Sequence, residues 1–168
     1  MHWVSKVIVS DTGPLIAMAL LDLFPILPNL FTSVYVPDGV LAEATQDCNK
    51  PGAQTILQAL EKGLLIQKSV ALNSTFRNLT AILDLGEAEA LALAKELKAI
   101  ALVDERRGRK VAIKYGITIT GTAAVLIKAK EAGEIPTVQP LLDKLTQVGY
   151  RLSPSLINEV LKITGELS

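Results

Sequence analysis

Short apolar runs alternate with amphipathic segments along most of the chain. The runs are rich in β-branched residues and predict buried strands, whereas apolar residues at three- and four-residue spacing predict helices. The predicted strands cover residues 6–10, 31–36, 64–70, 100–103 and 117–120. The predicted helices cover residues 15–23, 53–61, 87–98, 106–114, 125–132, 139–147 and 154–163. A further helix is predicted to begin near Asp38, with Asp38 as its N-cap.

The alternation of strands and helices predicts an α/β fold. Right-handed βαβ units place parallel strands side by side and cover both faces of the sheet with helices. The length of 168 residues suits a single domain, which we expect to span 1–168. In such sheets, sites form outside the carboxyl ends of the strands.

Composition narrows the chemistry that such a site can use. Seventeen basic and 17 acidic residues give a net charge of +0, so no global field attracts a polyanion. The single cysteine, Cys48, excludes an intrachain disulfide, and the single histidine, His2, argues against a Ser-His-Asp triad. No apolar run reaches the ~18 residues that span a bilayer, and residues 1–6 lack a signal-peptide cleavage site, so we expect a cytoplasmic protein with no membrane partner.

Two of the predicted strands are followed by an acid. Asp11 comes after the first strand and Asp104 after the strand that ends at Val103. In a parallel sheet, both carboxylates face the same edge. Each precedes a predicted helix, so each could also be an ordinary N-cap.

Two further acids occupy unusual positions on their helices. Glu43 lies three residues after Val40, which places it on the apolar seam of its helix. Glu87 falls on the core side of the helix that follows Gly86, whereas Glu89 falls on the flank beside Glu96. As a first-turn acid, Glu87 also fits a simple interaction with the helix dipole.

Together these four carboxylates, Asp11, Glu43, Glu87 and Asp104, predict a cation site. Carboxylates held close together repel each other and raise each other's pKa unless a cation neutralises them. Ligation by oxygen alone suits Mg²⁺ or Mn²⁺. A cation held by carboxylates activates water and stabilises charge on a phosphoryl oxygen.

The segments around these acids resemble the motifs of PIN-domain nucleases. The resemblance is carried by VIVSDTGPLI at 7–16, VPDGVLAE at 36–43, LGEAEALALA at 85–94 and LVDERRGRKVA at 102–112. With the tail at 119–133, the chain is similar to an uncharacterised bacterial and archaeal branch of that superfamily. Two departures are Glu87, where many toxin members carry Asp, and Glu105, where others often show a second Asp.

The resemblance implies a three-layer α/β/α fold and Mg²⁺- or Mn²⁺-dependent cleavage of RNA. It also implies kinship with VapC-type toxins, which dimerise and pair with a small DNA-binding antitoxin. A homodimer also fits the high apolar content and the two amphipathic C-terminal helices. Thr12, Glu89 and Glu105 are candidate auxiliary residues beside the four acids.

A basic stripe on one helix is a candidate surface for RNA. Arg106, Lys110 and Lys114 recur at four-residue spacing, and Arg107 and Arg109 add to the charge. The stripe begins next to Asp104, so Arg106, Arg107 and Lys110 are the expected phosphate contacts. A solvated helix face explains the same pattern.

Three other functions are consistent with parts of the sequence. A catalytically silent module for binding nucleic acid or protein would keep the fold and some acids. The tripeptide Asp11-Thr12-Gly13 also occurs in aspartic proteases, but those are all-β proteins, whereas a helix follows here. A phosphoacceptor receiver needs an acidic pair after its first strand, where this chain has only Asp11.

Overall fold

The computed structural model describes residues 6–167. The strands are β1 (Val7–Ser10), β2 (Ser33–Pro37), β3 (Ile66–Lys68), β4 (Ile100–Leu102) and β5 (Ile119–Thr120). The helices are α1 (Thr12–Leu20), α2 (Asp38–Ala44), α3 (Pro51–Glu61), α4 (Ser74–Thr80), α5 (Leu85–Leu97), α6 (Arg106–Lys114), α7 (Thr122–Glu131), α8 (Gln139–Gln147) and α9 (Pro154–Ile163). A 3-10 helix covers Phe24–Asn29.

The five strands form one parallel sheet with the order β3-β2-β1-β4-β5. The chain builds outward from β1 to β3 and then returns to the other side of β1 with β4. Ser10 of β1 is in register with Leu102 of β4, and the Asp11 N–H donates to the Leu102 carbonyl at 3.0 Å. The strand order therefore reverses between β1 and β4, which is where open α/β sheets form their ligand crevice.

Helices cover both faces of this sheet, which confirms the predicted three-layer α/β/α fold. Side chains alternate along β1, so Ile8 enters the core on one face and Val9 the core on the other. The first core includes residues of α1, α3, α7, α8 and α9. The second includes residues of α4, α5 and α6. Both faces of β1 are thus packed against an apolar core.

The first helix is shorter than its apolar sequence predicts. It ends at Leu20 instead of Leu23, because Asp22 adopts a left-handed φ of 53° and the Leu23 N–H donates back to the Met18 carbonyl at 3.0 Å. The last residues of the apolar run lead instead into the 3-10 helix.

Asp38 is not the N-cap of α2, contrary to the prediction. Pro37 holds that position, and the Asp38 carboxylate instead accepts hydrogen bonds from Gln67 of β3 and from Ser69 just after it, at 2.8 and 2.6 Å. These two bonds lower the pKa of Asp38. The side chain thus ties α2 to the neighbouring edge of the sheet.

Other element boundaries differ less from the sequence expectation. The β3 and β5 strands are shorter than predicted, and α7 begins at Thr122, three residues before the predicted start. The sequence pattern predicted no element over Ser74–Thr80, where α4 forms with Asn73 as its N-cap. The expectation about a signal peptide concerns residues outside the described part. No helix in residues 6–167 has the length and apolar character needed to cross a membrane.

The C-terminal residues are tied to two helices through Glu166. Its carboxylate accepts hydrogen bonds from the N–H groups of Val138 and Gln139 at the start of α8, at 2.9–3.0 Å. It also pairs with the Lys130 ammonium of α7 at 2.9 Å. Burial raises the pKa of Glu166, but the bonds from Gln139, Lys130 and Val138 outweigh that effect and lower it to about 2.

We expect Glu166→Gln to lower the free energy of unfolding at pH 7 by ~1–2 kcal/mol, the range for losing a charged helix cap. A carboxyl with a depressed pKa stabilises the fold above its unfolded value of 4.5 and loses that effect as the pH falls toward 2. Thermal melts across this range should therefore show the parent and variant converging. Glu131→Gln, on the exposed end of α7, is the matched control. A Glu166 variant as stable as the parent at pH 7 would contradict the assignment.

Candidate metal centre

An open cavity of about 450 Å³ lies where β1 and β4 end. We call it the acidic cleft, because six carboxyl groups line it. Its lining residues are Asp11, Thr12, Gly13, Pro14, Glu43, Asp84, Glu87, Asp104, Glu105, Tyr150 and Arg151. The four acids that the sequence singled out therefore converge at the reversal of strand order.

Asp11 connects the end of β1 to the start of α1. It is the N-cap of α1, and its carboxylate accepts the Thr12 N–H at 2.8 Å. Only 6% of Asp11 is exposed. Burial raises the pKa of Asp11 to about 6, against the Thr12 bond, and repulsion from Asp84, Glu43 and Glu105 adds to the rise. The capping role and a ligand role are compatible, because the bond to Thr12 leaves the carboxylate with further lone pairs.

Glu43 extends from α2 to the cleft, where its carboxylate is held by the hydroxyl of Thr12. The Thr12 Oγ1 donates to Glu43 Oε2 at 2.6 Å. Glu43 is exposed, so its predicted place on the apolar seam is wrong. Its carboxylate passes the first turn of α5 instead, where a Cβ on Gly86 would lie 3.2 Å from both Glu43 Oε2 and Thr12 Oγ1. The glycine leaves the space that this contact uses.

Glu87 lies on the buried side of α5, with 8% exposed, as its position on the helix predicts. Its Oε2 is buried without a hydrogen-bond partner among the described residues. Burial raises the pKa of Glu87 to about 8, and the hydrogen bond with Asp84 and repulsion from Asp84, Asp11 and Glu105 act in the same direction. A Cβ on Gly108 would lie 3.0 Å from Glu87 Oε2, so α6 can approach this oxygen only with glycine there.

Asp104 follows β4, but it does not cap the helix that comes next. The N-cap of α6 is Glu105, which makes no side-chain capping bond. The Asp104 carboxylate accepts bonds from the Thr122 N–H at 2.8 Å, the Thr122 hydroxyl at 2.6 Å and the Tyr150 hydroxyl. Thr122, the first residue of α7, thus ties the start of that helix to Asp104. Burial and the neighbouring Asp104 raise the pKa of Tyr150, which keeps its hydroxyl a donor.

Glu89 does not line the acidic cleft. It is 7% exposed rather than on a solvated flank, and both of its carboxylate oxygens accept the Gly39 N–H in the first turn of α2, at 2.9 and 3.1 Å. Burial raises the pKa of Glu89, against the bond from Gly39. Of the candidate auxiliary residues, Thr12 and Glu105 line the cleft, and Glu89 joins α5 to α2.

The residues of the basic stripe differ in what they contact. Arg106 and Lys110 are exposed and line a second cavity beside the acidic cleft, whereas the exposed Arg107 lines neither cavity. Arg109 donates to the Val103 carbonyl at 3.0 Å and so supports the end of β4.

Three cleft residues were not found from the sequence. Asp84 caps α5 by accepting the Glu87 N–H at 2.9 Å, and its spacing to Glu87 is that of a capping box, a signal the sequence did contain. Tyr150 and Arg151 come from the α8–α9 connector, and no local pattern links that connector to the acids. Their position depends on the tertiary packing of the last two helices.

The residues of the cleft fit a hard divalent cation. All candidate ligands are carboxylates, and Glu87 Oε2 is buried without a partner among the described residues. Among residues 6–167, no three acidic, histidine or cysteine side chains are already grouped closely enough to hold one ion. Glu43 and Asp104 are instead held by hydroxyl donors.

We expect the cation-free protein to lose stability as the pH rises from 4.5 to about 8. A carboxyl whose pKa is raised by folding resists ionisation in the fold, so the unfolded chain gains relative stability across that window. In EDTA, Glu87→Gln should therefore melt at a higher temperature than the parent at pH 8 and near the parent at pH 4.5.

Mn²⁺ should reverse this effect in the parent by binding the folded state. Glu61→Gln, on the exposed end of α3, controls for the loss of a surface charge. The difference in melting temperature between Glu87→Gln and the parent in EDTA should therefore grow from pH 5 to pH 8. An equal difference at both pH values would contradict the raised pKa of Glu87.

Comparison with known proteins identifies the family. A family model described as a PIN domain matches residues 7–166, from the first residue of β1 to the Glu166 contact. A search of curated proteins finds no match. The match covers nearly the whole chain, it agrees with the parallel sheet, and it confirms the resemblance seen in the sequence motifs. The chain belongs to the PIN-domain family.

Proposed function

We propose that this chain is a ribonuclease that hydrolyses RNA phosphodiester bonds with Mg²⁺ or Mn²⁺ bound in the acidic cleft. PIN domains are generally nucleases and typically use divalent metals. The observation that supports the proposal most strongly is the convergence of Asp11, Glu43, Glu87 and Asp104 on one cavity at the carboxyl ends of β1 and β4.

The proposal assigns the cation to these four carboxylates. A divalent cation supplies charge neutralisation at a phosphoryl oxygen and lowers the pKa of water. Thr12 orients Glu43, and Thr122 with Tyr150 orients Asp104, so two of the four acids already have fixed directions. Asp11 and Glu87 are the buried members, and their raised pKa values mean that a cation must displace the protons they hold, which are released to the solvent.

Several features position RNA in this proposal. Arg106 and Lys110 offer phosphate contacts from the side of α6 that faces the second cavity, and Arg107 is assigned a more distant contact on the same helix. Glu105 lines the cleft and is available as an auxiliary acid. Glu89 receives no direct role, because its oxygens are engaged by Gly39.

Asp11→Asn should reduce Mn²⁺-dependent cleavage of a single-stranded RNA by more than ~100-fold, because losing even an outer-shell partner costs about 10–100-fold. The measurement is cleavage by purified parent and variant in EDTA, Mg²⁺ and Mn²⁺. Asp143→Asn, an exposed position on α8, is the matched control. Equal cleavage by parent and Asp11→Asn would identify a contaminant and remove the enzyme proposal.

Calorimetry separates the enzyme from a catalytically silent module. The proposal requires saturable Mn²⁺ binding by the parent that is lost in Asp11→Asn. Because cation binding displaces protons from the buried carboxyls into the buffer, the apparent heat should vary with the ionisation enthalpy of the buffer. An absence of saturable binding up to millimolar Mn²⁺ would favour a silent nucleic-acid or protein-binding module.

The toxin role, the homodimer and the small DNA-binding antitoxin stay predictions of the family resemblance. The large apolar side chains Leu72, Leu85 and Ile82 are 76, 56 and 42% exposed and offer surface for self-association. We expect light scattering to give the mass of a dimer and Leu72→Ser/Leu85→Ser to shift it toward a monomer. A monomer at all working concentrations would contradict the homodimer.

A further inference from the structure

A second cavity of about 740 Å³ adjoins the acidic cleft. It lies between α6, α7 and α9, and we call it the basic groove. The cations that line it are Arg106, Arg109, Lys110 and Arg151, and the carboxylates are Asp104 and Glu159. Asp104 and Arg151 line both cavities, so the groove and the acidic cleft are continuous at these two residues.

We propose that Arg151 holds a phosphate of the substrate strand and directs that strand from the basic groove into the acidic cleft. This inference rests on the proposed function and adds a residue from the α8–α9 connector to the binding surface. Among the described residues that line the acidic cleft, Arg151 is the one lysine or arginine. A phosphodiester that enters the cleft from the groove must pass it.

The connector that carries Arg151 is anchored on both sides. The Tyr150 hydroxyl donates to Asp104, and Tyr150 and Leu152 both pack against the apolar core. Ser153 then caps α9 by accepting the Leu156 N–H at 3.2 Å. The backbone of Arg151 is thereby fixed at the junction of the two cavities.

The Arg151 side chain itself is free to bind. It is exposed, and the part of the chain that the structure describes gives it no hydrogen-bond or ion-pair partner, although six carboxyl groups line the adjacent cleft. A guanidinium presents five N–H donors in a planar fork that matches two phosphate oxygens. An unpaired guanidinium at the mouth of an acidic cavity therefore suits an anionic group that bridges it and a cation.

The basic groove has the chemistry of a nucleic-acid strand rather than of a folded protein partner. Its lining includes the exposed apolar side chains Ile113, Ile163 and Leu156, at 68, 54 and 38%. Exposed aliphatic side chains next to cations offer apolar contact to bases while the cations meet phosphates. An acidic amphipathic helix would also complement the charge and apolar surface of the groove. Only a nucleic-acid strand would extend from the groove into the acidic cleft and place a phosphate there.

The test measures binding of a fluorescein-labelled, 10-nucleotide single-stranded RNA to the full chain in EDTA, over a series of salt concentrations. Removing one phosphate contact from a single strand reduces the slope of log K against log salt by about 0.7. We expect Arg151→Gln to show that reduction and to weaken binding several-fold. Arg151→Lys should restore the slope and part of the affinity, because it keeps the charge without the fork.

Two further variants separate a shaped groove from general attraction. Ile113→Ser, at a position already 68% exposed, should weaken binding and leave the salt slope unchanged, because it removes apolar contact only. Lys62→Gln removes an exposed cation that lines neither cavity and should match the parent in both affinity and slope.

An Arg151→Gln variant with the affinity and slope of the parent would overturn the inference. Preferential binding of an amphipathic Glu/Leu helical peptide that the RNA does not displace would also overturn it. The two proposals fail separately: RNA binding that depends on Arg151 without any cleavage would remove only the ribonuclease. Cleavage by the parent together with unchanged binding by Arg151→Gln would remove only the strand path.

Discussion

Electrostatic repulsion among partly buried carboxyl groups determines how the acids of the cleft are protonated and hydrogen-bonded. Six of them line one cavity, and two of the six, Asp11 and Glu87, are less than a tenth exposed. Burial opposes their ionisation, and their neighbours oppose it further. The protein offsets this repulsion in two ways. Asp11 and Glu87 keep their protons to higher pH. Thr12 donates a hydrogen bond to Glu43, and Thr122 and Tyr150 donate to Asp104. An arrangement that costs stability in this way is expected at a site that binds a cation.

The sheet topology brings these groups together. Because the strand order reverses between β1 and β4, Asp11 and Asp104 follow neighbouring strands, and α2 and α5 bring Glu43 and Glu87 to the same cavity. The approach is close enough that glycine is required where helices meet carboxylates. A Cβ on Gly121 would lie 2.8 Å from Asp104 Oδ1, just as Gly86 and Gly108 make room for Glu43 and Glu87. Charge and close packing thus act on the same few positions.

The sequence predicted the parts of the site that depend on local pattern. Asp11 and Asp104 are identifiable because each follows an apolar strand, and Glu87 because the helical period turns it toward the core. Glu43 and Glu89 show where this reasoning fails. The helix of Glu43 is too short for a seam to be defined, and the burial of Glu89 is decided by the N–H of Gly39 on another helix. Such a contact between helices leaves no periodic signal.

The same limit explains the residues that were missed. The N-cap Asp84 was within reach of local rules, since it stands three residues before Glu87. Tyr150 reaches Asp104 across 46 positions of the sequence, and only the packing of α8 and α9 on the core brings it there. The fold class followed from alternation alone, because parallel sheets covered on both faces impose that pattern on every strand.

The contact between Tyr150 and Asp104 also bears on how the protein is made. The residues that line the acidic cleft are spread from position 11 to position 151. A chain growing on the ribosome therefore exposes the first acids long before the connector that completes the cleft. Until residue 150 has emerged, Asp104 lacks one of its three donors and the mouth of the cleft lacks its guanidinium. The cavity is therefore complete only after the chain has been synthesised through residue 151, 140 positions beyond its first acid.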